Sequence, residues 1–234
     1  MGIYEQAIRD AAQLLLSGAT EVWQIIFLSL KVSGGATLLA SLIGIPIGYA
    51  LGISRFAGRA ALLILVNTAM GFPPVVVGLF VYMALTRYGP LGHLDLLFTP
   101  SAMVIAQVIL SAPLIAGLTT AAVASVNRDV RIQVRALGAS PIQESAAVLV
   151  EARRGVFAAV IAGFGAVISE VGAVSIVGGG IQGSTMVMTT AIQAKVSQGD
   201  FALAMSWAMV LIGITLVVNV ALTTLQNAGV MYER

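Results

Sequence analysis

The stretch Arg135-Ala-Leu-Gly-Ala-Ser-Pro-Ile-Gln-Glu144 is polar and carries the signals of two helices joined by a turn. It continues into the charged segment Val150-Glu-Ala-Arg-Arg-Gly155. An apolar span follows at once, and it contains Ile168-Ser-Glu-Val-Gly-Ala173, a glycine run at Gly178-Gly-Gly180 and Thr189-Thr-Ala-Ile192. A polar connection next to a glycine-broken membrane helix is what a transporter needs to join an energy source to a pore.

Composition places the whole chain in a membrane. Hydrophobic residues make up 59% of the 234 residues and charged residues 9%, and the mean hydropathy is +0.99. Soluble domains carry about 25% charged residues. The net charge of +2 is too small to indicate nucleic-acid binding. The absence of cysteine from the sequence excludes disulfides, thiol catalysis and cysteine metal sites.

Long apolar runs predict an all-α integral membrane fold with five transmembrane helices, because about 20 apolar residues cross the hydrocarbon core. We expect one membrane domain over residues 1–234, with no regulatory domain after the last span and no cleaved signal before the first. The predicted spans are residues 22–53, 59–85, 101–126, 155–177 and 201–225.

The basic residues predict an N-out, C-in orientation under the positive-inside rule. In that orientation the outer side holds Arg9, Lys31, Arg87 and Lys195. The cytoplasmic side then holds the larger group, Arg55, Arg59, Arg128, Arg131, Arg135, Arg153, Arg154 and Arg234. The connection at residues 127–154 is thereby predicted to face the cytoplasm.

Residues 1–20 have apolar side chains at helical spacing opposite a polar face that includes Glu5, Arg9 and Asp10. This pattern predicts an amphipathic helix on the outer membrane surface. A simple extension of the first span is an equal alternative.

The connection has the signals of a helical hairpin. Ser140, Pro141 and Gln143 form an S-P-x-Q start that is typical of a capping box, and Gly138 permits a tight turn. We expect one helix to end near Leu137 and a second to run over residues 141–153. Its apolar residues Ile142, Ala146 and Leu149 are predicted to rest on the membrane spans.

Polar and proline residues inside the spans are candidates for a translocation path. Ser29, Ser33, Thr37 and Ser41 recur every fourth residue, so their hydroxyls either line a translocation path or allow close helix packing. The pair Pro73-Pro74 predicts a bend in the second span, either beside the path or purely structural.

Glu170 is the only carboxylate well inside a predicted span. A carboxylate facing the path would repel an anion by about 4 kcal/mol at ~4 Å and an effective dielectric of ~20. We therefore predict a structural or gating role for Glu170 and the nearby Gly172. The carboxylate would hold loop backbone, pair with an arginine or lie near the cytoplasmic end.

Several motifs resemble the permease subunits of ATP-binding-cassette (ABC) importers, in the molybdate, tungstate and sulfate branch. The second-span motif is Gly71-Phe-Pro-Pro-Val-Val-Val-Gly78 with Gly89-Pro-Leu-Gly92, and the third-span entry is Leu97-Phe-Thr-Pro-Ser-Ala-Met-Val-Ile-Ala-Gln107. Ser169-Glu-Val-Gly172 with Gly178-Gly-Gly-Ile-Gln-Gly-Ser-Thr185 is similar to tungstate-type members. Gly180 and Met186 stand where that branch usually has Asn and Arg.

The same family carries an E-A-A-x-x-x-G loop that contacts the ATPase. Gly138 matches its glycine, whereas the Glu-Ala-Ala positions read Ile132-Gln133-Val134. The resemblance therefore implies that the turn itself makes the contact. The expected coupling residues are Arg135, Ala136, Leu137, Gly138, Ala139, Ser140 and Pro141.

The resemblance implies a type I importer fold, a homodimer in the cell membrane, two cytoplasmic ATPase subunits and an extracytoplasmic binding protein that delivers tungstate or molybdate. The chain has no phosphate-binding loop motif, so a partner must hydrolyse ATP. We expect no catalytic role and no cofactor, and His93 with Asp95 is too little for a metal site. The alternative is an ATP-independent channel or secondary transporter for a small anion. An intramembrane enzyme would need a nucleophile with a base inside the spans, and the sequence offers none.

Overall fold

The computed structural model describes residues 3–16, 20–54 and 56–228, and these form helices without any strand. The predicted all-α class is confirmed for this part of the chain. Arg55, Arg234 and residues 1–2 and 17–19 of the predicted outer helix lie outside the described residues. The helices are α1 (Ile3–Leu16), α2 (Thr20–Ile53), α3 (Arg59–Met70), α4 (Pro74–Leu85), α5 (Pro100–Ala124), α6 (Arg128–Ala136), α7 (Pro141–Glu151), α8 (Arg153–Ile168), α9 (Gly172–Gly178), α10 (Met188–Ser197) and α11 (Phe201–Ala228), with a 3-10 turn at Gly92–Leu94.

Helices α2, α5 and α11 are long and apolar enough to cross a membrane. They begin and end within about three residues of the predicted spans 22–53, 101–126 and 201–225. Pro46 and Pro113 lie inside α2 and α5 without ending them. A single proline in an apolar helix is tolerated where neighbouring groups satisfy the freed carbonyl.

The second predicted span is broken rather than bent. Helix α3 ends at Met70, α4 begins at Pro74, and their axes differ by 97°. The double proline explains the break, because it removes two successive N–H donors and Pro74 restricts Pro73 to extended backbone. Pro73 has φ −61° and ψ 124°, and Pro74 occupies the first turn of α4.

The fourth predicted span is also broken, although it contains no proline. Helix α8 ends at Ile168, α9 begins at Gly172, and the bend between them is 57°. Helix α9 then ends at Gly178, where Gly179 has φ +72° and Gly180 has φ +58°. The sequence predicted a span over residues 155–177 but not the position of the break at residues 169–171, and it did not predict α10.

Helices α2 and α5 pack along a seam of small residues. Gly44, Gly48 and Gly52 follow one another every fourth residue, and a Cβ at Gly48 would come within 2.5 Å of the Ala116 carbonyl oxygen. Helices approach this closely in membranes only where one of them presents small side chains. The seam holds the first two long helices, α2 and α5, together.

Helix α1 packs mainly against α11, with Ala11 buried at the contact and Leu16 exposed. Helix α1 ends at Leu16 and α2 begins at Thr20. A position on the outer membrane surface stays a prediction.

Candidate functional site

The α6–α7 hairpin turns at Gly138 through a Schellman motif. The Gly138 N–H donates to the Arg135 carbonyl at 2.9 Å, and the Ala139 N–H donates to the Val134 carbonyl at 3.2 Å. Gly138 has φ +83°, a left-handed conformation that glycine adopts without steric cost. A Cβ at Gly138 would meet no atom within 4 Å, so the turn is open to an approaching protein.

The start of α7 is fixed by the capping box that the sequence predicted. The Gln143 N–H donates to Ser140 Oγ at 3.4 Å, and the Ser140 N–H donates to Gln143 Oε1 at 2.8 Å. Pro141 fills the first helical position, where no N–H is needed. The two helices of the hairpin therefore have defined ends on both sides of Gly138.

An ion-pair clamp formed by Glu144, Arg131 and Arg135 joins the two helices. Arg135 Nε donates to Glu144 Oε2 at 2.6 Å, and Arg131 Nε donates to Glu144 Oε1 at 2.8 Å. The hydrogen bonds from Arg135 and then Arg131 lower the pKa of Glu144 from its ordinary value, and the bond to Glu144 raises the pKa of Arg135. The clamp stiffens the hairpin, and sequence reasoning missed it.

The predicted inner face of α7 was wrong at Ile142 and Ala146 and right at Leu149, which packs against Val123, Val148 and Ala152. Ile142 is 81% exposed and Ala146 is also exposed, whereas Glu144 and Val148 are buried. Ser145 lies on the inner side, where its Oγ accepts a hydrogen bond from Tyr49 Oη of α2 at 2.8 Å. The apolar pattern of α7 was misleading because the inner face of the helix includes a carboxylate. Glu144 can be buried there since Arg131 and Arg135 both pair with it.

The outer surface of the hairpin is apolar near its turn. Leu137 is 87% exposed, Ile142 is 81% exposed and Ile132 is 55% exposed. Exposed apolar side chains grouped on a stiff projecting hairpin are typical of a protein contact site. We name Ile132, Leu137, Gly138 and Ile142 the hairpin tip.

Glu170 lies in the break between α8 and α9, where it holds backbone. Its Oε1 accepts a hydrogen bond from the Ala173 N–H at 3.0 Å, and its carbonyl accepts one from Thr189 Oγ1 at 3.0 Å. Gln107 Nε2 of α5 donates to the Val167 carbonyl at 2.8 Å, just before the break. Side chains thus satisfy the groups that the break frees, and Gln107 was missed because nothing in its local sequence marks it.

The second halves of the two broken spans pack directly on each other. A Cβ at Gly78 of α4 would lie 2.7 Å from Ala173 Cα, and one at Gly172 of α9 would lie 2.7 Å from Val75 Cγ2. No side chain fits at Gly78, since the nearest atoms belong to the backbone of α9. Gly172 therefore has a packing role beside Glu170, and both breaks meet at one contact.

The predicted path residues lie in the middle of α2 and at the first break. Ser33 and Thr37 are buried in α2, and Thr37 Oγ1 donates to the Ser33 carbonyl at 2.7 Å. Ser41 is half-buried and donates to the Thr37 carbonyl at 2.7 Å. Pro73 is exposed and Pro74 half-buried. The Thr37 and Ser41 hydroxyls both bond within their own helix, and a path role stays a prediction.

The two positions that depart from the tungstate-type pattern have different surroundings. Gly180 has φ +58°, which asparagine also tolerates, and a Cβ there would meet Thr190 only at 3.6 Å. Met186 is half-buried and lines a cavity of about 320 Å³ with Lys195. Only the second departure changes the chemistry of a cavity wall.

Known proteins resemble this chain in sequence and fold. The tungstate uptake system permease protein TupB of Peptoclostridium acidaminophilum is 39% identical over 95% of this chain and 97% of its own length. A probable anion ABC transporter permease protein of Haloferax volcanii is 40% identical over 86% of this chain and 88% of its own. The fold resembles a chain of the MetNI methionine ABC transporter in an inward-facing conformation, with a TM-score of 0.68 and 17% identity over 88% of this chain and 96% of that one.

The family assignment rests on most of the chain. Residues 44–228 match the family described as binding-protein-dependent transport system inner membrane component. That range includes the seam, both broken spans, the hairpin and α11. Multi-pass membrane localisation follows from the family and the apolar helices. The chain therefore belongs to the inner-membrane permease family of ABC importers, in its molybdate, tungstate and sulfate branch.

Proposed function

We propose that this chain forms the membrane path of an ATP-driven importer whose cargo is the oxyanion tungstate. The observation that carries the cargo is the 39% identity to a tungstate permease over nearly the full length of both chains. The chain itself has no catalytic role, and a partner hydrolyses the ATP. We further propose five spans with the N-terminus outside, each broken pair crossing the membrane as one span.

The hairpin tip is proposed to dock on a cytoplasmic ATPase subunit. Its apolar side chains Leu137 and Ile142 offer area for burial, and the open surface at Gly138 allows close backbone approach. The Glu144 clamp keeps the tip rigid, so that movement of the ATPase is passed to the spans rather than absorbed within the hairpin. The contact is proposed to comprise the residues from Arg135 to Pro141 together with Ile132 and Ile142 of the tip.

Two copies of the chain are proposed to enclose the path, with one ATPase subunit under each hairpin and an extracytoplasmic binding protein on the opposite side. ATP-driven closure of the ATPases brings the two tips together and changes the membrane helices from inward-open to outward-open. Such coupling requires that the tip makes different contacts in the two states. The break at Pro73 and Pro74 is proposed to border the path. Glu170 is proposed to stabilise the backbone of the second break, between α8 and α9.

The test is ATP hydrolysis by the reconstituted complex of permease, ATPase and binding protein, titrated with tungstate, molybdate and sulfate. We expect stimulation by tungstate at the lowest concentration, and no stimulation when the binding protein is omitted. Preferential stimulation by molybdate or sulfate contradicts the cargo. Anion flux through the permease alone, without ATP, contradicts the importer mechanism and favours the channel or secondary-transporter alternative.

A further inference from the structure

A cavity of about 530 Å³ lies at the end of the bundle that bears the hairpin. It opens between the C-terminal ends of α2 and α5 and the first residues of α3 and α6. Among the described residues that line it are three arginines, Arg59, Arg128 and Arg131, and no carboxylate. The apolar side chains of Val123 and Val148 form part of the wall. The cavity therefore combines basic side chains with an apolar surface, and the charge of one of them, Arg131, is shared with Glu144 of the clamp.

Two of the arginines are held in place by the end of α2. Arg59 Nε donates to the Leu51 carbonyl at 2.8 Å, and Arg131 Nη1 donates to the Ile53 carbonyl at 3.4 Å. These bonds satisfy carbonyls that the end of a helix leaves without an intrahelical partner. Arg131 also donates through Nε to Glu144 in the clamp. A guanidinium has five N–H donors, so these bonds use only part of the donor capacity of each side chain. The remaining donors are preorganised at the cavity.

The third arginine, Arg128, is a positive charge at the positive end of a helix. Arg128 is the first residue of α6, where the helix dipole favours a negative charge, and its side chain is exposed. Asn127 provides the helix cap by accepting from the Asp129 N–H at 2.9 Å. An anion in the cavity would meet the Arg128 guanidinium and the N-terminal end of α6, whose first turn also carries the Asp129 carboxylate.

We propose that this cavity binds the phosphate headgroup of an anionic phospholipid. The cavity lies where the apolar helices α2 and α5 end, at the level expected for lipid headgroups, and its apolar wall suits the glycerol region of a lipid. Basic pockets between transmembrane helices on the cytoplasmic side bind such headgroups. The assignment to the cytoplasmic leaflet rests on the proposed function. Because Arg131 belongs to both the cavity and the Glu144 clamp, bound lipid would connect the membrane surface to the hairpin.

The experiment measures lipid retention by native mass spectrometry on the purified permease with its ATPase partner. The complex is exchanged into micelles containing equal phosphatidylglycerol and phosphatidylcholine. We expect selective retention of phosphatidylglycerol. Arg128→Gln should lower the affinity for this lipid about fivefold, which is the loss expected when one basic side chain near the membrane surface is removed. Arg87→Gln is the matched control, because Arg87 is an exposed arginine outside the cavity, and it should retain the lipid as the wild type does.

Unfolding temperatures in lipid-free detergent check that Arg128→Gln leaves the fold intact, as expected for an exposed side chain. Equal retention of both lipids, or unchanged phosphatidylglycerol affinity in Arg128→Gln, overturns the proposal. So does displacement of the lipid by millimolar inorganic phosphate or tungstate, which would identify a site for free oxyanions. Lipid retention is read without transport, so failure of the importer function and failure of the lipid site give different results.

Discussion

Glycine serves opposite purposes in the hairpin turn and in the contact between the broken spans. Gly138 has a left-handed backbone and no atom near its missing Cβ, whereas Gly78 leaves no room for a Cβ against Ala173. The first position depends on backbone conformation and lies open to a partner, and the second depends on close packing inside the chain. Substitutions at the two sites should therefore separate coupling from folding.

The largest expected effect is the loss of coupled transport in Gly138→Val. A β-branched residue is strongly disfavoured at φ +83°, and its side chain would project into the surface proposed for the ATPase. Tungstate uptake into proteoliposomes should be abolished, while size-exclusion chromatography shows a folded dimer. Normal uptake by this variant is incompatible with a coupling role for the turn.

Gly78→Ala should instead destabilise the permease by about 2 kcal/mol, because overpacking a close contact forces backbone shifts. The control is Gly213→Ala in α11, where a Cβ would meet no atom of another part of the described chain within 4 Å. Unfolding in detergent should show a lower stability for the first variant and an unchanged or slightly higher stability for the second. Equal stabilities would mean that α4 and α9 do not pack as described.

The Glu144 clamp gives a pH-dependent stability. The folded-state pKa of Glu144 is lowered from its ordinary value of 4.5, so the unfolded chain binds the proton more readily and stability rises with pH through this range. The stabilisation is present above about pH 4.5 and is lost as pH falls below it toward the lowered pKa. Thermal unfolding should show wild type more stable than Glu144→Gln at pH 7, with a gap that narrows below pH 4.5. A stability difference between wild type and Glu144→Gln that does not change with pH would exclude the ion pairs of the clamp as its cause.

The smallest effect is expected for Glu170→Gln. Glutamine keeps an oxygen that accepts from the Ala173 N–H, whereas Glu170→Ala removes this cap and should cost about 1 kcal/mol. Neither variant should change the order of preference among tungstate, molybdate and sulfate in the ATPase assay, although assembly or gating should suffer more in the alanine variant. A switch in oxyanion preference would place the carboxylate in the path.

Local signals made the hairpin predictable from sequence. Ser140, Pro141 and Gln143 specify the start of α7 through contacts within four residues, and Gly138 specifies the turn. The bounds of α2, α5 and α11 followed from apolar length. The seam at Gly44, Gly48 and Gly52 has the same four-residue spacing in the sequence, but the predictions for this helix considered only its hydroxyl residues.

The remaining features depend on contacts between distant residues. The break after Ile168 has no proline, and its exposed backbone is satisfied by Gln107 and Thr189 from other helices. The orientation of α7 follows from the pairing of Glu144 with two arginines of α6, which apolar periodicity cannot detect. The double proline predicted a bend but not its size. Prolines in this chain have different effects, since Pro46 and Pro113 leave their helices unbroken.

The most direct test of the coupling account compares Gly138→Ala with Gly138→Asn in tungstate-stimulated ATP hydrolysis. Asparagine tolerates the left-handed backbone better than alanine, but its side chain extends farther into the space at the tip. If a closely approaching ATPase makes the turn functional, stimulation falls further in Gly138→Asn than in Gly138→Ala. Near-normal stimulation in Gly138→Asn, with a clear loss in Gly138→Ala, would contradict this account, since only the backbone conformation of the turn would then matter.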